Sequence, residues 1–239
     1  IWAAGDAGVY RFAAEGSEIR RRAVTRSPAT AVAVGGRELF VGTREGLYRL
    51  TSGALRAERL AGVPGAVTAL EMNGGGELLC GTDDGLYLVS PGGSVRRARV
   101  RLPGDRVAAL VADARGRIWA GTTAGAFRLD PVGDSADLGP ADGLPAVRVV
   151  SFLAGPSGEV WMGGDGSGLH RYTPSRFSFV GPEAGLAEVL PLRIGEAPDG
   201  AIWITTARGE LGRFSEGRFQ SFGEGHGLPR TDRFRDLTF

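Results

Sequence analysis

Arg117-Ile118-Trp119-Ala120-Gly121-Thr122-Thr123-Ala124-Gly125-Ala126-Phe127-Arg128-Leu129 is the stretch that decides the fold. It reads as a short apolar strand, a tight turn ending in glycine, and a second strand. The same sentence occurs five more times. The copies are Ile1-Trp2 with Gly8-Val9-Tyr10-Arg11-Phe12, Leu39-Phe40-Val41-Gly42-Thr43 with Gly46-Leu47-Tyr48-Arg49-Leu50, Leu78-Leu79-Cys80-Gly81-Thr82 with Gly85-Leu86-Tyr87, Val160-Trp161-Met162-Gly163 with Gly168-Leu169-His170-Arg171-Tyr172, and Ile202-Trp203-Ile204-Thr205-Thr206 with Leu211-Gly212-Arg213-Phe214. The Trp sites fall at 2, 40, 79, 119, 161 and 203, in steps of 38, 39, 40, 42 and 42. A repeat near 40 residues built from short strands predicts a β-propeller.

Working outward, each repeat can be written as four strands. A first strand follows a proline corner, Leu-Pro in most copies: Val67–Leu70, Val107–Leu110 and Val147–Val150. A Gly/Asp/Asn turn leads to the Trp strand. The Thr-x-x-Gly turn then requires positive φ at its glycine. A more polar fourth strand suits a blade edge: Ile19–Arg22, Val95–Val100, Phe177–Phe179 and Phe219–Phe222. No helix is read. Six repeats of four strands predict an all-β, six-bladed propeller of four-stranded antiparallel blades, one domain over residues 1–239. The chain opens inside a Trp strand and ends, at 227–239, on a Leu-Pro corner and a first strand. That last segment is expected to complete the first blade and remove free edges. The chain reads as a mature form or a part of a longer protein, in which the array could run on.

Composition narrows the function. With 42% apolar residues the chain can bury a core, and no apolar run approaches the roughly 18 residues of a membrane span. A net charge of +1 gives no support for nucleic-acid binding. All 28 basic residues are arginine, which removes Schiff-base and phosphate-loop lysines. Cys80, the single cysteine, aligns with Ala3, Val41, Ala120, Met162 and Ile204 and is expected in the core. The Asp and Glu residues form no metal-ligand run, so neither a metal nor a cofactor is expected.

The pattern Gly-Leu-Pro, apolar strand, Asp-x-x-Gly-x-Ile-Trp-x-Gly-Thr-x-x-Gly-Leu-x-Arg-Phe resembles the two-component regulator propeller repeat. Leu102-Pro103, Asp113–Thr122, Gly125 and Arg128-Leu129 carry it best, with Gly143-Leu144-Pro145, Gly158–Trp161 and Gly168–Tyr172. In that family such repeats form the extracytoplasmic sensory part of bacterial hybrid histidine kinases. They usually occur as two successive propellers, and several members respond to polysaccharide fragments. The resemblance implies a non-catalytic sensor or binding propeller in the periplasm or outside the cell. Its partners would be a carbohydrate or acidic small ligand and a second copy or neighbouring propeller. This chain departs from the pattern at Phe40 and Leu79, which replace Trp, and includes neither kinase nor membrane helix. A lyase similar to streptogramin lyase, with a His base and a divalent metal, and a protein-interaction scaffold are the alternatives.

Two arginine groups and two histidines are the candidates for chemistry. Arg11, Arg49, Arg128, Arg171 and Arg213 form a column broken at Leu88, expected to be exposed or salt-bridged. Arg106, Arg148, Arg230 and Arg233 follow Leu-Pro corners. If the first strand is innermost, they begin near the axis, where forked hydrogen bonds favour a carboxylate, sulfate or sugar acid. These four are the expected ligand-binding residues, with His226 in the loop Gly223–Gly227 as a further candidate. His170 shares a column with Tyr10, Tyr48, Tyr87 and Phe127 and is expected to pack.

Overall fold

The computed structural model describes residues 2–5, 8–15, 18–25, 28–51, 57–100, 102, 104, 106–130, 135–139, 142–173, 176–186, 190–207 and 210–226. These fold as antiparallel sheets, one per repeat. The first sheet is β1 (Trp2–Gly5), β2 (Gly8–Glu15) and β3 (Glu18–Thr25). The second is β4 (Ala31–Gly35), β5 (Glu38–Thr43), β6 (Gly46–Thr51) and β7 (Glu58–Arg59). The third is β8 (Val67–Met72), β9 (Leu78–Thr82), β10 (Gly85–Val89) and β11 (Val95–Arg97). The fourth is β12 (Val107–Ala112), β13 (Ile118–Thr122), β14 (Gly125–Leu129) and β15 (Ser135–Leu138). The fifth is β16 (Val149–Ala154), β17 (Val160–Gly164), β18 (Gly168–Thr173) and β19 (Arg176–Val180). The sixth is β20 (Pro191–Glu196), β21 (Ile202–Thr206), β22 (Leu211–Ser215) and β23 (Arg218–Phe222). The strand that 228–239 is expected to add to the first sheet lies outside the described residues.

The chain divides into two compact units, Ile1–Arg101 with Asp105–Leu110, and Leu102–Gly104 with Val111–Phe239. In the first, β1 lies beside β4 and β4 beside β8; in the second, β16 lies beside β20. The core of each unit is the layer between successive sheets. Phe40 and Leu47 of the second sheet meet Leu70, Cys80 and Tyr87 of the third. Trp119 of the fourth meets Val149, Met162 and Tyr172 of the fifth. Trp161 and Leu169 of the fifth meet Ile194 and Ile204 of the sixth.

Local chemistry repeats with the strands. Thr43, Thr82 and Thr122 each donate to the carbonyl of the glycine three residues on (3.0, 3.0 and 3.2 Å) and accept from the amide two residues on. Those glycines, Gly46, Gly85 and Gly125, have φ of 132°, 129° and 147°, as the turn pattern requires. Gly42, Gly81, Gly121 and Gly163 are glycine for another reason. The next sheet's first strand presses on them, so an added Cβ would stand 2.5 Å from Val67, 2.7 Å from Val107, 2.7 Å from the Val149 carbonyl and 3.0 Å from Pro191. Three first strands carry a register shift, at Val67/Ala69, Val149/Ser151 and Pro191/Arg193. Thr68 sits in the first of these bulges and donates to the Val107 carbonyl; Thr30 donates likewise to Val67 at 2.7 Å.

Three details differ from the sequence reading. The fifth first strand starts at Val149, so Val147 and Arg148 belong to its approach; the bulge shortens its ladder. The fourth strand expected at Val95–Val100 ends at Arg97, where Ala98 turns its amide to Leu86. Two 3₁₀ turns, Pro182–Ala184 and Glu224–His226, stand in connections read as loop.

Candidate functional site at the strand corners

Val67, Val107 and Val149 are fully buried and anchor the entry of three first strands. The residue before each is therefore held at a fixed corner. Ala66 and Arg148 occupy that corner in the third and fifth sheets, and their carbonyls accept the amides of Asp83 (3.3 Å) and Asp165 (2.8 Å). The corner thus stands directly beside the turn that joins the second and third strands. Arg148 uses the proximity: its Nη2 lies 2.6 Å from Asp165 Oδ2. At the Arg106 corner the sequence-equivalent turn residue is Thr123, which has no carboxylate. Arg106 pairs instead with Asp83 of the preceding sheet, Nε to Oδ1, at 3.5 Å. Both pairs are open to solvent, with side-chain exposures of 57% and 49% for Arg106 and Asp83, and 47% and 39% for Arg148 and Asp165. The shortest contact of each pair joins one guanidinium nitrogen to one carboxylate oxygen, and at this exposure the guanidinium can also be approached by another acceptor.

Arg106 belongs to the first unit and Arg148 to the second. Arg230 and Arg233 lie outside the described residues. His226 closes the second 3₁₀ turn, exposed, its Nδ1 accepting from the Gly223 amide at 3.4 Å and its ring edge-on to Phe222 at 5.3 Å.

His170 is buried at 2% exposure, opposite Met162, with Nε2 3.0 Å from the Ser167 hydroxyl and its ring 5.3 Å from Phe179. Burial pushes its pKa below the ordinary 6.5, against a smaller opposing contribution from Ser167. Cys80 is fully buried in the apolar layer, and burial pushes its thiol up to about 12, so it is no nucleophile at neutral pH. Among the described residues no three His, Cys, Asp or Glu side chains group as a metal site.

The arginine column has a partner that sequence reading missed. Register pairs Phe40 with Arg49, Trp119 with Arg128, Trp161 with Arg171 and Trp203 with Arg213 across the hairpin. The guanidinium of Arg171 lies 5.3 Å from the Trp161 ring, and that of Arg128 lies 5.9 Å from Trp119. The copy with Leu79 at the Trp site has Leu88 at the Arg site, and the two are paired. This covariation was visible in the repeats once the register was known.

Asp113, which opens the Asp-x-x-Gly turn of the repeat pattern, does more than turn the chain. Its carboxylate, with no exposed side-chain surface, accepts the Arg115 and Arg117 amides, Arg117 Nε at 2.6 Å and the Trp119 indole N–H at 2.9 Å. Burial alone would raise its pKa, but the bonds from Trp119 and Arg117 outweigh it and hold the carboxyl below the usual range. Arg128 extends the cluster to the Tyr172 hydroxyl at 3.2 Å. These contacts join consecutive sheets, so the cluster is structural. Sequence reading also gave no sign of a shallow polar groove of about 400 Å³ beside Arg213, Ser215, Glu216 and Arg218.

Comparison with known proteins agrees on the fold. The extracellular domain of a proposed hybrid two component system from B. thetaiotaomicron superposes with a TM-score of 0.79 at 17% identity over 97% of this chain and 33% of that one. A second such domain from the same organism gives 0.71 at 22% identity over 85% and 29%. The chain thus spans about a third of the length of these structures. Virginiamycin B lyase from Staphylococcus aureus gives 0.73 at 14% identity over 91% of this chain and 77% of that one. At such identities the likeness is one of fold: an all-β propeller. No curated protein matches the sequence. The family model for the two component regulator propeller matches residues 101–124, so the chain carries that repeat in the stretch that includes Asp113 and Trp119.

Proposed function

We propose that the chain is a non-catalytic, ligand-binding propeller that serves as the periplasmic or extracellular input domain of a two-component regulator. The repeat match and the likeness to extracellular domains of such systems support the setting. The observation that carries the binding role is the recurrence of a half-exposed guanidinium at the corner where a first strand begins, in Arg106 and again in Arg148. Such forks suit a carboxylate, sulfate or acidic sugar. In this reading Arg230, Arg233 and His226 are further ligand-binding residues. The same reading takes the six repeats as six blades, the strand in 228–239 filling the place before β1, and assembles the domain with a second copy or a neighbouring propeller. The non-catalytic part rests on Cys80 and His170, both consumed by packing.

A thermal-shift screen of acidic mono- and oligosaccharides, dicarboxylates and sulfated sugars tests the reading. A stabilising ligand is expected, and Arg106→Ala with Arg148→Ala should weaken it at least tenfold at unchanged melting temperature of the free protein. Unchanged affinity in the double variant removes these arginines from the site.

A further inference from the structure

We infer that Asp83 and Asp165 act as built-in competitors for the corner arginines, holding each guanidinium in place until a stronger anion displaces the carboxylate. This rests on the binding role proposed above for Arg106 and Arg148 and adds the residues that set its affinity and selectivity.

The amide of Asp165 is tied to the Arg148 carbonyl at 2.8 Å, so the carboxylate is delivered to that corner by the fold and not by a mobile side chain alone. The amide of Asp83 is tied in the same way to the Ala66 carbonyl at 3.3 Å, in a sheet whose own corner has no charge to pair. Its carboxylate is taken by Arg106 of the next corner, where the equivalent turn residue, Thr123, is neutral. So one acid serves each described corner arginine, by two different routes. A surface charge required only for solubility would not need that compensation.

The pairs are also weak enough to be exchanged. All four side chains are between 39% and 57% exposed, and exposed ion pairs of this kind are worth a few-fold in an equilibrium. A carboxylate released into water at that exposure keeps its hydration. A doubly charged anion offering two oxygens to one fork makes parallel, charge-assisted bonds and outcompetes a singly charged carboxylate held at 2.6 or 3.5 Å. The internal carboxylate therefore orients the guanidinium, competes with monoanions such as acetate and yields to a dianion such as sulfate. Asp83 and Asp165 are positioning residues: they act through the arginines and do not touch the ligand.

The test is a titration of the whole chain with sulfate, and separately with acetate, followed residue by residue through backbone amide chemical shifts at 147–149 and 164–168. Asp165→Asn keeps the backbone bond to Arg148 and removes the charge. It is expected to lower the sulfate midpoint at this corner about two- to five-fold and to narrow the preference for sulfate over acetate. Arg148→Ala should abolish the response, and the pair Asp165→Asn with Arg148→Ala should match Arg148→Ala alone. Asp83→Asn should act in the same way on the Arg106 corner, which provides a second, independent pair. Unchanged or weaker sulfate binding in both Asn variants, with Arg148→Ala still abolishing it, overturns this inference and leaves the arginine site standing. No loss on Arg148→Ala, or no sulfate response in any form, overturns both.

Discussion

At the scale of single residues, the most consequential side chain outside the corners is Asp113. It answers four donors and holds Arg117, itself nearly buried, against the rings of Trp119 and Tyr172 at 5.3 and 5.8 Å. Removing one partner of a buried ion pair strands the other charge. Asp113→Ala should therefore cost about 3 kcal/mol in urea unfolding. Because the folded carboxyl is held low, its contribution is present above the ordinary aspartate range and is lost as pH falls through the lower folded value. His170 follows a related logic with a base. Its neutral form is buried, so the unfolded chain takes up a proton that the folded chain refuses. Its contribution is present above pH 6.5 and is lost as pH falls from there through the depressed folded value. His170→Phe, the residue found at Phe127 in the same column, should remove that loss. Melting curves of the two proteins should run parallel above pH 7 and diverge below 6.5, the wild type falling faster; parallel behaviour throughout would contradict the assignment. Column membership made His170 and Cys80 legible from sequence. The role of Asp113 was not, because the distance between a turn carboxylate and an indole six residues later depends on how the hairpin folds.

At the scale of elements, hairpins were the legible part. Thr-x-x-Gly marks a turn because threonine bonds both sides of it and glycine takes the φ that other residues resist. The glycine just before that threonine was legible as a repeat but not explicable, since its cause lies in the neighbouring sheet. Gly121→Ala would drive a methyl to within 2.7 Å of the Val149 carbonyl and should destabilise by about 1–3 kcal/mol, measured by denaturant midpoint at constant slope. The arginine column likewise needed the register. Opposite the Trp column, the guanidinium groups of Arg128 and Arg171 stand over aromatic rings, at 5.9 Å from Trp119 and 5.3 Å from Trp161. A double-mutant cycle on Trp161→Leu and Arg171→Leu should give a coupling of about 0.5–1 kcal/mol. A coupling near zero would return Arg171 to an ordinary surface charge. Strand limits were less legible: the bulge at Val149/Ser151 breaks the ladder that simple alternation predicts, and it leaves Arg148 outside the strand as a corner residue.

At the scale of the whole molecule, a repeat near 40 residues becomes a succession of antiparallel sheets whose apolar faces are satisfied by their neighbours within each unit. That much follows from periodicity, because a four-stranded unit this small cannot bury its own face. The binding role proposed for the corner arginines was less legible. Arginine after a Leu-Pro corner signals exposure and position, while the carboxylates that restrain it are delivered from a different hairpin. The direct measurement is a map of amide shifts over the entire chain on adding the ligand that emerges from the acidic-ligand screen. Shifts are expected to concentrate at 83–84, 106–107, 148–149 and 165–166, where Arg106 and Arg148 would exchange their carboxylates for the ligand. Shifts confined to the outer strands, or to the groove at 213–220, with the two corners silent, would contradict that role.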